Sequence, residues 1–110
     1  LPRDLIVAFR ATLEELESAD LLLHVIDISN PRYTEQIATV ETLLGELELE
    51  HIPQVRALNK MDLVAPDTLP LLAERLRGVP ISAQERGSLT PLIDKMAFII
   101  ERANERSNDA

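Results

Sequence analysis

Cysteine and tryptophan are absent from these 110 residues, glycine occurs three times, and the only aromatic side chains are Phe9, Tyr33 and Phe98. Without cysteine there can be no disulfide and no thiolate zinc site. Aromatics at 3% leave no platform on which unpaired bases could stack. Cations are scarce as well: 11 Lys and Arg against 19 Asp and Glu give a net charge of −8. A surface that follows a phosphate backbone needs clustered basic residues, so no nucleic-acid patch is expected on this chain. Long apolar runs are missing too. The stretch from Leu21 to Ile28 is broken by His24 and Asp27, far short of the roughly 20 residues a membrane-spanning helix requires. The start shows no leader pattern, so the expected location is cytoplasmic.

What is present is 45% hydrophobic, enough for one domain whose core must be built from Leu, Ile, Val and Ala. Leu5, Phe9, Thr12, Leu13 and Leu16 recur at helical steps, which predicts an amphipathic helix over 3–18 with Pro2 in its first turn. The run Leu21 to Ile26 scarcely alternates, as in a strand covered on both faces of a parallel sheet. Ser29 or Asn30 can cap a second helix that carries Ile37, Val40, Leu43, Leu44 and Leu47 to about Glu48. A strand over 54–58 follows. Then come a short helix from Asp67 or Thr68 through Leu76, with Gly78 as its left-handed stop, and a strand over 79–82 that Pro80 consigns to a sheet edge. Ser88 precedes a closing helix marked by Leu89, Leu92, Ile93, Met96, Ile99, Ile100 and Ala103. This order gives an α/β fold of three parallel strands with helices on both faces. Residues 1–103 form the domain, and 104–110 read as a frayed tail. With Leu21 to Ile26 at one border, the sheet would have a long apolar edge that further strands should cover.

The chemistry concentrates at two strand ends. Asn59, Lys60 and Asp62 follow the strand over 54–58, and Ser82 with Ala83 ends the next strand. Ligands of parallel α/β sheets bind at such ends. A carboxylate placed there accepts two parallel N–H bonds from the ring N–H and exocyclic amine of guanine, a fork adenine cannot supply. In that arrangement Asp62 reads the base and Asn59 braces the loop against the Ser82 segment. Lys60 lays its stem along the ring, and the Ala83 N–H donates to the guanine oxygen. The plainer reading is that Asn59 and Asp62 only order a turn and cap the next helix. Two such elements in register favour the site.

Other residues give less. His24 lacks a second His or a Cys nearby, so a hydrogen-bonded core histidine is expected rather than a metal ligand. Asp27 reads as a loop-ordering acid beside Ser29 and Asn30. Glu46, Glu48 and Glu50 form a solvated helix end, and Arg75, Arg77 and Arg86 face solvent. Gly45, Gly78 and Gly87 never compose the G-x-x-x-x-G-K-[ST] phosphate loop, and no switch-type Asp-x-x-Gly occurs.

The runs Leu1-Pro2-Arg3-Asp4-Leu5, Ala8 to Glu15 and Ala19 to Asp27, with the Asn-Lys-Met-Asp and Ser-Ala elements, resemble the second half of the G domain of HflX-type GTPases. The resemblance covers nearly the whole chain; Era-type and Der-type GTPases are the alternative parents. It implies a Ras-like P-loop GTPase fold lacking its upstream half here, with Asn59, Lys60 and Asp62 as the guanine-specificity box and Ser82 and Ala83 as the last nucleotide box. It also implies GTP or GDP as ligand, Mg2+ in the full protein only, and association with the large ribosomal subunit. Gln84 departs from the Lys many relatives carry, which removes a second cationic cover for the base. The parent is then expected to hydrolyse GTP, and this chain alone to be inactive. The rival expectation is a non-enzymatic adaptor that keeps half the fold as a protein-interaction module.

Overall fold

The computed structural model describes Arg3 and residues 14–109. Strands β1 (Leu22–Asp27), β2 (Gln54–Asn59) and β3 (Gly78–Pro80) form one parallel sheet in the order β1-β2-β3. Three α-helices connect and follow them: α1 (Tyr33–Glu46), α2 (Leu69–Leu76) and α3 (Thr90–Asp109). The order of strands and helices matches the sequence reading. The helix expected over 3–18 lies mostly outside the described residues; Glu14–Ser18 at its end is a 3-10 helix.

Alternation along the strands sorts side chains into two layers. Ile26 of β1 and Leu58 of β2, partners in register, project to the side where α1 and α2 supply Ile37, Leu72 and Leu76. Val55 and Ala57 project to the other side and pack with Ile81, Leu92 and the α3 residues Met96 and Ile99. Both faces therefore carry helices. The cover on the α3 side stops at β2, because Leu23 and Val25 of β1 remain 43% and 54% exposed. The sequence reading had β1 covered on both faces; among the described residues only one face is packed against helices.

Helix ends explain the connections. α1 closes with the Glu48 N–H donating to the Gly45 carbonyl and the Leu49 N–H to the Leu44 carbonyl. Glu48 takes the left-handed conformation, φ 58°, that this capping turn requires. Leu49 thereby folds back onto Leu44, in a buried cluster with Leu47 and Ile52 that delivers the chain to β2. At the end of α2 the left-handed residue is Arg77, φ 52°, and not Gly78. Gly78 serves another purpose: a Cβ there would come within 2.7 Å of the Leu58 side chain, which is fully buried. Its missing side chain lets β3 approach β2. α1 begins at Tyr33, two residues after Pro31, and Asn30 orders its entry by accepting the Arg32 N–H at 2.9 Å. α3 runs to Asp109, past the expected end at Ala103.

Candidate functional site

The ends of β1, β2 and β3 are tied together by backbone bonds. The Ile28 N–H reaches the Asn59 carbonyl at 3.3 Å, and the Ile81 N–H reaches the Leu58 carbonyl at 2.8 Å. The Met61 N–H donates to the Ile81 carbonyl at 3.0 Å, pulling the Asn-Lys-Met-Asp turn onto the segment that leads into Ser82. The two elements singled out in the sequence thus share one end of the sheet.

Asn59 joins them. Its Oδ1 accepts the Ala83 N–H at 3.0 Å and the Lys60 N–H at 2.9 Å, filling both lone pairs. The expected brace is present, though its partner is the Ala83 N–H, which the sequence reading assigned to the base. The Ser82 side of the loop is held from behind. Ser88 Oγ accepts the Ser82 N–H at 2.9 Å, and its single proton faces the carbonyls of Ser82 and Glu85 at 2.9 and 2.7 Å. Ser88 was expected only to precede the closing helix. Instead it lies in the 3-10 turn Arg86–Leu89, and it clamps the loop that presents Ala83.

Lys60 adopts the left-handed conformation, φ 70° and ψ 38°. Such a backbone is uncommon for a residue with a side chain and concentrates at functional sites. Its Nζ donates to Asp27 Oδ2 at 2.8 Å. Asp27 Oδ1 in turn accepts the Ser29 N–H at 3.0 Å and the Ser29 hydroxyl at 2.6 Å. The Lys60 hydrogen bond first, then that of the Ser29 hydroxyl, draw the Asp27 carboxyl down to about 2. Asp27 is the loop-ordering acid expected, and a partner for Lys60 that was not. The register held a signal for it, since Asp27 lies opposite Asn59 across the β1–β2 pair. Asp62, in the 3-10 turn Met61–Leu63, is exposed, and its carboxylate has no hydrogen-bond or ionic partner among the described residues. It is the free acceptor of the group.

Away from this end, Arg56, Arg75 and Arg77 share a cleft with Glu41 and Gln54. Arg56 acts on the fold: it donates to the Leu76 carbonyl at 2.9 Å and pairs with Glu41 at 3.2 Å, at the negative end of α2. His24 lies across from Arg56 on the same face. Its buried Nδ1 has no partner, so the hydrogen-bonded histidine expected from the sequence is not what the structure contains. Burial, then the nearby Arg56 cation, push its pKa below 6.5, against a smaller opposing effect of Glu41. No group of three or more His, Cys, Asp or Glu among the described residues could hold a metal, and none of their helices is long and apolar enough to cross a membrane.

A parallel sheet with helices on both faces, whose strand ends join an Asn-Lys-Met-Asp turn to a Ser-Ala loop, defines part of a P-loop GTPase domain. No protein-family model matches the chain. It is 38% identical over 105 residues to the GTPase HflX of Magnetococcus marinus, covering 94% of this chain and 24% of that protein. With the GTPase HflX of Caldanaerobacter subterraneus it shares 40% over 94 residues, 86% of this chain and 21% of that protein. With that of Escherichia coli it shares 47% over 64 residues, 58% and 15% respectively. The chain belongs to the HflX-type GTPases, and it spans about a quarter or less of the length of these curated relatives.

Proposed function

We propose that these residues give an HflX-type GTPase its preference for guanine. Asp62 accepts the ring N–H and the exocyclic amine, and Lys60 covers one ring face with its aliphatic stem. Asn59 fixes the relation between the two loops, and the Ser82–Ala83 backbone meets the base oxygen. The observation that carries this reading is the Asn59 Oδ1 bond to the Ala83 N–H, which brings both elements to one end of the sheet beside an Asp62 unpaired among the described residues. Phosphate handling, Mg2+ and hydrolysis are assigned to the part of the domain outside this segment, because no phosphate loop occurs in it. Contact with the large ribosomal subunit and a cytoplasmic location are proposed from the family alone.

Competition among GDP, IDP and ADP tests the assignment in a full-length HflX-type polypeptide carrying this segment. IDP lacks the exocyclic amine, so it keeps one prong of the fork. Each hydrogen bond to a charged group contributes about 1.5–3 kcal/mol. GDP should therefore outcompete IDP by about tenfold or more. ADP should bind far more weakly still, and Asp62→Ala should bring GDP and IDP to equal affinity. Equal binding of GDP and IDP by the unsubstituted protein would remove the assignment.

A further inference from the structure

We propose that Asp27 is a positioning residue for the nucleotide site, holding Lys60 in the place from which its stem covers the base. The inference rests on the guanine reading above and extends it to a residue of a different strand. Lys60 is a long, exposed side chain on a left-handed backbone, and left to itself it would sample many rotamers at an entropic cost on ordering of about 1.5–2 kcal/mol. Asp27 meets that cost before any ligand arrives. Its carboxylate is itself fixed, because Oδ1 is held by the Ser29 N–H and hydroxyl and only Oδ2 is turned to Lys60 Nζ. The backbone beneath is fixed as well. Asp27 and Asn59 are register partners, and the Ile28 N–H donates to the Asn59 carbonyl. The ammonium is thus anchored toward β1 while its stem leaves from a turn bonded to the Ile81 carbonyl on the opposite side. A chain stretched between those two points lies across the strand ends, where a ring can stack against its methylenes.

Nothing else explains the pair as well. The side chains are 47% and 38% exposed, and an exposed ion pair contributes little to stability. Its worth therefore lies in preorganisation: an ordered cover lowers the penalty a ligand meets on binding. The chemistry also divides the labour in a testable way. Asp62 addresses the base edge and distinguishes one purine from another, whereas Lys60 addresses the ring face and treats purines alike.

The test is a double-mutant cycle on GDP binding in a full-length HflX-type polypeptide carrying this segment. Asp27→Asn keeps an Oδ1 acceptor for Ser29 and removes the charge that holds Lys60, so the loop stays folded. It should weaken GDP about three- to tenfold, mostly through faster release, as expected for a partly screened charge-assisted bond. On a Lys60→Ala background the same substitution should change nothing further. GDP and IDP should be weakened by equal factors, so the preference set by Asp62 persists. Unchanged GDP affinity in Asp27→Asn would overturn the proposal, as would an equal loss with and without Lys60, which would mean that Asp27 acts through its own loop. Either outcome leaves the guanine reading standing if Asp62→Ala still abolishes the preference for GDP over IDP, and that reading fails separately if it does not.

Discussion

Asp62 and Ser88 show how differently two polar side chains can serve one site. Asp62 is exposed and unpaired among the described residues, so under the proposed reading its replacement should alter recognition and leave packing alone. Ser88 is half-buried and makes the bonds that hold the Ser82–Ala83 loop. Ser88→Ala strands the Ser82 N–H without its acceptor, which costs about 1–3 kcal/mol. A lower thermal midpoint and weaker GDP binding should appear together; an unchanged midpoint would mean water replaces the hydroxyl. His24 supplies a pH prediction. The folded chain resists protonating the half-buried imidazole, while the unfolded chain takes the proton near 6.5. Below that value the unfolded state binds more protons, so stability is full above about pH 6.5 and falls as the pH drops through that value toward the lowered folded pKa. Asp27 acts in a separate window, its contribution being complete above 3.8 and lost as the pH falls toward about 2. Denaturant midpoints measured from about pH 5 to pH 8 should decline on the acid side, and His24→Leu should flatten them. At this scale the sequence named Asn59, Lys60, Asp62, Ser82 and Ala83 because their spacing is local to two loops. Asp27 and Ser88 escaped, since a partner 33 residues away for Lys60 and a loop clamp six residues from Ser82 become visible only when the strands are aligned.

Elements were legible where a periodic pattern ran unbroken and illegible at their ends. The strands over Leu22–Asp27 and Gln54–Asn59 and the stripe of α1 lie within a residue or two of their expected bounds, because burial on one face dictates them. Ends depend on which residue accepts a left-handed backbone, and the obvious glycine was the wrong one. Arg77 turns the chain at the end of α2 and Gly78 instead yields space to Leu58. Two substitutions separate these roles. Gly78→Ala places a methyl against a fully buried leucine and should destabilise by about 1–3 kcal/mol through overpacking. Pairing it with Leu58→Ala should add less than the two separate losses, because the smaller side chain makes room for the methyl. Arg77→Gly relieves the left-handed strain and should leave stability unchanged or raise it by up to about 1 kcal/mol. Chemical denaturation reads both. A harmless Gly78→Ala would show that β3 can shift away from β2.

The whole molecule has the architecture expected of one end of a larger α/β sheet: α3 covers β2 and β3, while Leu23 and Val25 of β1 stay open on that face. The sequence reading foresaw an apolar edge at β1 from its place at the border of a three-stranded sheet. It could not foresee which face is bare, since a continuous apolar run carries no facing information. Catalysis of phosphoryl transfer is positioning and charge stabilisation around the terminal phosphate, and this segment carries neither a phosphate loop nor a switch Asp-x-x-Gly. The purified 110-residue chain should therefore release no phosphate from GTP above background; turnover by it would place catalytic groups where none has been assigned. The central claim, a carboxylate fork at Asp62, is tested most directly by Asp62→Asn in a full-length HflX-type polypeptide, with GDP and xanthosine diphosphate in competition. An amide in place of the acid accepts the ring N–H and donates to the extra xanthine oxygen, so preference should pass from GDP to XDP by about a hundredfold or more. Retained preference for GDP would contradict the account.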